Sequence, residues 1–398
     1  MPDSAHAVGA AGWRPDILGT GYEQLTLDLP GGAPATLVRY TPPPVPGTPR
    51  AAAAADVLYV HGWSDYFFQR ELAEYWAKSG ARFYALDLHN YGRSLRPGQS
   101  PGFVSDLSEY DDDIAAALAA MGQPAPVRSS PEQPGQPGQP GQPEQPEQPE
   151  QPGDGTRGAP AGRPLILVGH STGGLTLSLW AARHPFAASA LVLNSPWLEF
   201  QATELGRRVI SPLIGLEAQR RPLAPLPPVD LGIYSRAVFS AFGGEWTYNL
   251  EWRPLRGFPV TLAFLNAVFR AQASVAEGLG LQIPVLVLLS AKSYLQPRWS
   301  AEAGTSDVAL DVNVVAHRAL SLGATVTVVR IEDAMHDVFL SAAPVRARAY
   351  DAVSAWRRGY GPAVRRRPPL PSTLRRRATV GSRPTMTHRP TLRRRPRA

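Results

Sequence analysis

Cysteine is absent from the 398-residue chain. That excludes a disulfide framework, a thiolate nucleophile and any cysteine-ligated zinc or iron–sulfur centre, and it leaves the redox compartment open. Lysine is almost missing too, with Lys78 and Lys292 its only occurrences. A basic binding face normally draws on both cations, so the bias toward arginine reads as genomic composition. Charged residues make up only 18% of the chain, a low share for a soluble protein. No apolar run approaches the roughly 20 residues needed to cross a bilayer. Met1 to Leu18 lacks the basic start and apolar stretch of a secretory signal. The expectation is a soluble, cytoplasmic protein without a transmembrane segment.

What the chain does contain is apolar material: 43% hydrophobic and 9% aromatic residues, ample for a large core. It also holds 42 prolines, about twice the usual share, which marks part of it as linker. Pro131 to Gln151 is a run of seven Pro-x-Gln triplets that has no apolar surface to bury. With its flanks, 122–163 is expected to be a disordered loop between two ordered elements. The net charge of +7 is unevenly spread. Residues 363–398 hold 12 arginines and no acid, leaving 40 − 12 = 28 basic against 33 acidic residues before them, a balance of −5. The body is mildly acidic, and the proline-broken tail 363–398 is expected to be disordered. Such a tail can contact anionic lipid or nucleic acid weakly, through counterion release.

Elsewhere, short apolar runs alternate with helical patterns, which predicts an α/β sheet with crossover helices. Eight strands are expected near Gln24–Leu29, Thr36–Tyr40, Val57–Val60, Phe83–Leu86, Leu165–Val168, Ala190–Leu193, Val285–Leu289 and Thr325–Val329. The first two read as a hairpin-linked antiparallel pair and the rest as parallel. Helices are expected at Phe68–Lys78, Tyr110–Ala120, Thr172–Arg183, Val312–Leu322 and Pro344–Arg357. The alternation stops over 195–280, a stretch rich in Trp, Phe, Leu and Pro that reads as a cap inserted after the sixth strand.

One motif in this frame carries chemistry. Gly169-His170-Ser171-Thr172-Gly173 follows the strand PLILV and opens the helix LTLSLWAAR, the context of a GxSxG nucleophile elbow. The turn must be tight, and the small neighbours Gly169, Gly173 and Gly174 allow it. A phosphate-binding turn would need the Lys-Ser/Thr ending of a P-loop or GxGxxG spacing, and neither is present. A serine needs a base and an orienting acid, here in the order Ser, Asp or Glu, His. Of the histidines after Ser171 at a suitable distance, His317 lies in a helix and His388 in the tail. That leaves His336, in the loop past the last strand. The loop after Val285–Leu289 offers Glu302, Asp307 and Asp311 as the acid; Asp307 is preferred because Asp311 sits where an aspartate commonly caps a helix. Asn194 occupies the other position from which an acid can be presented, but an amide cannot balance an imidazolium. The oxyanion donors are expected to be the backbone N–H groups of Thr172 and Trp63. His61 is expected to be structural.

The segments HGWSDYF, ALDLHNYGRS, FVSDLSEYDDDI, LVGHSTGG and IEDAMHDVFLS together resemble the α/β-hydrolase superfamily, within it the branch of monoacylglycerol lipases and lysophospholipases. The resemblance spans most of residues 20–360. It implies an α/β-hydrolase domain over 20–362, following an extension over 1–19, and a structural role for Asp87, Gly92, Arg93 and Ser94. It further implies a carboxylic ester hydrolase that acts on small-molecule acyl esters and needs no metal or organic cofactor. Aromatic residues in 195–280 suit lipophilic acyl groups. The competing classes are an inactive hydrolase-fold scaffold and a peptidase or thioesterase using the same machinery. The chain departs from the family pattern in lacking a further glycine after His61-Gly62, in the long loop before Asp307 and in the Pro-Gln insert.

Overall fold

The leucine- and valine-rich runs become the centre of a nine-stranded sheet because both of their faces are covered. The computed structural model describes residues 12–44, 54–127, 162–200, 204–226 and 232–360, without the side chains of 204–211. Its strands are β1 (Arg14–Pro15), β2 (Tyr22–Asp28), β3 (Pro34–Tyr40), β4 (Ala55–Val60), β5 (Ala81–Asp87), β6 (Leu165–His170), β7 (Ala190–Asn194), β8 (Val285–Ser290) and β9 (Val326–Ile331). They lie in the order β1-β2-β3-β5-β4-β6-β7-β8-β9. Strands β1 to β3 are antiparallel neighbours, β3 meets β5 antiparallel, and the six strands from β5 to β9 run parallel. The expected count of eight is therefore corrected to nine among the described residues. The extra strand is two residues long, ends in a proline and has no periodicity to read; it lies inside the stretch expected to be an N-terminal extension.

Alternate residues of the parallel strands feed two separate cores. Leu58, Val60, Leu167, Leu191, Leu193, Val287 and Leu289 face one side, while Val57, Tyr59, Ile166, Val168, Val192, Leu286 and Leu288 face the other. Helices α2 (Tyr110–Ala120), α3 (Thr172–Arg183), α6 (Leu262–Glu277) and α7 (Val312–Ala319) cover the first face. Helices α1 (Arg70–Lys78) and α8 (Ala343–Gly359) cover the second. Helix α7 stops short of the expected Leu322 because the N–H groups of Leu320, Ser321 and Leu322 bond to carbonyls three residues back instead of four, and the Ser321 and Leu322 carbonyls accept from the N–H groups of Leu279 and Leu281. Those bonds draw the chain out of the helical path.

Between β7 and β8 the chain forms α4 (Glu204–Arg220), α5 (Ile233–Val238) and α6. Helix boundaries inside this region were not legible in advance. The segment after α5 lies across the C-terminal edge of the sheet. Trp246 Nε1 donates to the Leu340 carbonyl at 2.8 Å, Asn249 N–H to Tyr66 Oη at 2.7 Å, and Phe258 N–H to Ser64 Oγ at 2.9 Å. Arg253 pairs with Asp65 at 3.1 Å, both all but inaccessible to solvent, and its guanidinium stands over the Tyr248, Tyr234 and Phe68 rings. Burial pushes the Asp65 carboxyl up despite the nearby Arg253. Residues 128–161 of the expected loop and the whole tail 363–398 lie outside the described residues. No helix among the described residues is long and apolar enough to cross a membrane.

Candidate active site

Ser171 stands at the turn between β6 and α3 with φ 50° and ψ −115°. This left-handed backbone is rare for a residue with a side chain and marks stored strain. Close backbone approach makes the turn possible. A Cβ on Gly173 would be driven into the carbonyls of Val60 and His61 at the end of β4, so the start of α3 touches β4 through bare backbone. Gly173→Ala is expected to cost on the order of 3 kcal/mol by overpacking and to remove activity with it, checked by thermal unfolding beside an esterase assay. Unchanged stability would refute the close approach.

His336 follows β9, in a loop shaped by Met335 N–H donating to Ser341 Oγ at 2.9 Å. Its Nε2 lies 3.1 Å from Ser171 Oγ and its Nδ1 2.9 Å from Asp307 Oδ2. All three side chains are buried, with Asp307 wholly so. Since the carboxylate only accepts, Nδ1 carries the proton and Nε2 is left to accept from the serine hydroxyl. The His170 and Tyr234 rings flank the imidazole at 4.9 and 5.6 Å between centroids.

The chain reaches Asp307 by a detour. Asp307 forms a bridge with Ser293: its N–H donates to the Lys292 carbonyl at 3.0 Å, and its own carbonyl accepts from Tyr294 at 2.7 Å. The residues between loop out, so Asp307 sits beside the end of β8 although far along the sequence. Its Oδ1 accepts from the Ala309 and Leu310 N–H groups at 2.8 Å each, leaving Oδ2 for the histidine. Asp311 caps α7, accepting from Asn313 and Val314. Glu302 is exposed and pairs with Lys292 at 3.6 Å.

The loop His61-Gly62-Trp63 runs against the serine. A Cβ on Gly62 would lie 3.0 Å from Ser171 Cβ, and the Trp63 ring packs on Phe264 at 3.9 Å between centroids. Thr172 is the first residue of α3, whose opening N–H groups have no intrahelical acceptor. Among the described residues, neither the Thr172 nor the Trp63 N–H donates to a protein acceptor. Asp87 anchors the loop from behind, accepting from the Phe67 N–H at 2.9 Å and pairing with Arg93 at 2.8 Å; Arg93 also grips Asp16. The structural reading of Asp87 and Arg93 thus has a physical basis. Gly92 turns there with φ 45°, and Ser94 Oγ donates to the Asp87 carbonyl.

His61 likewise does structural work. Its Nε2 accepts from the Leu88 N–H at 3.2 Å and its Nδ1–H donates to the Gly62 carbonyl at 2.8 Å, an arrangement only the neutral ring can make. Burial lowers its pKa below the ordinary 6.5, and that of His170 in the same way. A histidine that is harder to protonate folded than unfolded contributes stability above about pH 6.5 and loses it as pH falls below that value. Denaturation midpoints are therefore expected to fall on acidification below about pH 6.5. His61→Asn should flatten part of that fall, and a profile superimposable on wild type would refute the assignment.

Sequence reasoning overlooked residues that brace the site: Asp337, which follows His336 and accepts from Asn194 Nδ2 at 2.6 Å and Gln69 Nε2 at 3.2 Å, and the Asp65–Arg253 pair. Asp337 could have been suspected from its place beside His336; nothing in the sequence pairs Asp65 with Arg253. Among the described residues, no cluster of three His, Asp or Glu side chains is arranged to hold a metal ion.

The family model for the alpha/beta hydrolase family matches residues 57–349, well over half of the chain. The chain belongs to the alpha/beta hydrolase family. Among curated proteins none matches it. This α/β hydrolase is similar in fold to the crystal structure of Paleococcus ferrophilus monoacylglycerol lipase, at 16% identity and a TM-score of 0.52, covering 77% of this chain and 94% of that one. It is also similar to a soluble variant of monoglyceride lipase from Saccharomyces cerevisiae in complex with a substrate analog, at 15% identity and a TM-score of 0.50, covering 88% and 94%. At such identities the likeness shows the shared fold alone, a mostly parallel sheet flanked by helices.

Proposed function

We propose that the protein is a serine hydrolase that cleaves carboxylic esters, lipophilic acyl esters foremost, through an acyl-enzyme. The observation that carries this reading is the continuous chain from Ser171 Oγ through His336 to Asp307, at 3.1 and 2.9 Å. In the first step, the Ser171 hydroxyl proton passes to His336 Nε2 as Oγ bonds to the ester carbonyl carbon. The Thr172 and Trp63 N–H groups hold the oxyanion. The tetrahedral adduct collapses, and the alcohol departs with the proton from Nε2. Water then gives a proton to Nε2 and attacks the acyl carbon. Release of the acid returns the proton to Ser171.

The lipophilic preference is supported by the apolar rings of the inserted region, Phe264 and Trp252 among them, packed on Trp63 and Tyr66 of the loop after β4. It is supported further by fold neighbours that are themselves named as monoacylglycerol and monoglyceride lipases. A panel of esters from acetyl to long-chain acyl tests it. A kcat/KM profile that peaks at long chains upholds the lipase-like reading. An acetyl optimum would replace it with a short-chain esterase.

A further inference from the structure

We propose that Asn194 is a positioning residue that fixes the approach of Ser171 to His336; the inference rests on the roles proposed above for those two residues. Asn194 ends β7 and is wholly buried. Its backbone carbonyl accepts the Ser171 N–H at 3.0 Å and the His170 Nδ1–H at 3.1 Å. Its side chain reaches the other arm of the site: Nδ2 donates to Asp337 Oδ1 at 2.6 Å, and Oδ1 accepts the Val338 N–H at 3.0 Å. One residue therefore grips both the turn that carries the serine and the two residues that follow His336.

The far side of this crosspiece is also secured. Asp337 is wholly buried and accepts further bonds from Phe339 N–H at 2.9 Å and Gln69 Nε2 at 3.2 Å, and Gln69 donates to Tyr59 Oη as well. The loop of His336 is thereby tied to β4, β7 and the start of α1.

The chemistry of the pair selects asparagine. The position needs a donor toward a carboxylate and an acceptor toward a backbone N–H, side by side, and only a primary amide of this length supplies both. Aspartate there would set two carboxylates face to face. An apolar residue would leave Asp337 and the Val338 N–H short of partners in a buried place, where such groups are costly. The position from which an acid might have been presented to the histidine instead holds the histidine's loop.

The test uses the full chain with three changes: Asn194→Ala, Asn194→Asp, and Asn194→Asp combined with Asp337→Asn, which exchanges amide and carboxylate. Readouts are kcat and KM on a soluble acyl ester, the rate of labelling by a fluorophosphonate, and thermal unfolding. Asn194→Ala is expected to lower kcat about 10- to 100-fold, the range for a misplaced reacting group, with KM within about threefold and labelling slowed in proportion. Asn194→Asp falls at least as far, and the exchange recovers several-fold of that loss because the facing carboxylates are gone and the bond is remade with its ends reversed, although the amide at 337 then turns its NH₂ toward the Phe339 N–H. A folded Asn194→Ala that labels and turns over at the wild-type rate overturns the proposal. So does an exchange variant no faster than Asn194→Asp, a comparison that also decides the matter if the alanine variant does not fold. Wild type that takes no label sinks the hydrolase reading itself, whereas labelled wild type with equally labelled variants sinks only the role of Asn194.

Discussion

Ser171→Ala is expected to lower turnover of a soluble acyl ester on the order of a millionfold, the scale seen when a nucleophile is removed from such a triad, with little change in thermal unfolding. The contrast follows from what the hydroxyl touches. Among the described residues its one hydrogen bond is to His336 Nε2 at 3.1 Å, and alanine can take the same strained backbone that serine takes at φ 50°. The Ser171 N–H to Asn194 and the Ser171 carbonyl to Gly174, Leu175 and Trp197 remain in place. Loss of fluorophosphonate labelling must accompany loss of turnover. A variant that keeps more than a tenth of wild-type activity would move the nucleophile elsewhere, and wild type that is folded yet inert would favour a scaffold on this fold.

The sequence was legible where one local rule acts alone. The runs VLYV and LILV alternate between two cores because a strand's side chains alternate, and helices α2 and α3 begin and end at the residues their patterns indicate. The elbow was legible because three glycines are needed for backbone to meet backbone. His336 could be reached by elimination, the other late histidines lying in a helix or the tail. What resisted reading depends on contacts distant in sequence. The pairing of Asp65 with Arg253, the grip of Asn194 on Asp337, and the packing of Trp246 against the His336 loop join residues that no periodicity connects. Likewise β1 exists because β2 offers it an edge; two residues alone have no strand signal.

Asp307→Asn is the second large effect, on the order of 10⁴-fold in kcat, and its comparison with Asp311→Asn identifies the acid. An amide at 307 can present its NH₂ to His336 and force the ring into the other tautomer, with the proton on Nε2, where it can no longer accept from Ser171. It also removes the charge that balances the imidazolium. The carboxylate is wholly buried and spends Oδ1 on two backbone N–H groups, so some stability is lost too, and kcat must be measured on protein shown to be folded. Asp311→Asn tests the alternative at the same loop. Asp311 accepts from two N–H groups at the start of α7, a capping role that asparagine fills nearly as well. Its kcat is therefore expected to stay within about twofold of wild type, with stability changed by less than about 1 kcal/mol. If Asp311→Asn were the inactive variant and Asp307→Asn the active one, the bridge that carries Asp307 back beside β8 would have no catalytic purpose, and the histidine would have to swing toward α7 to find its acid.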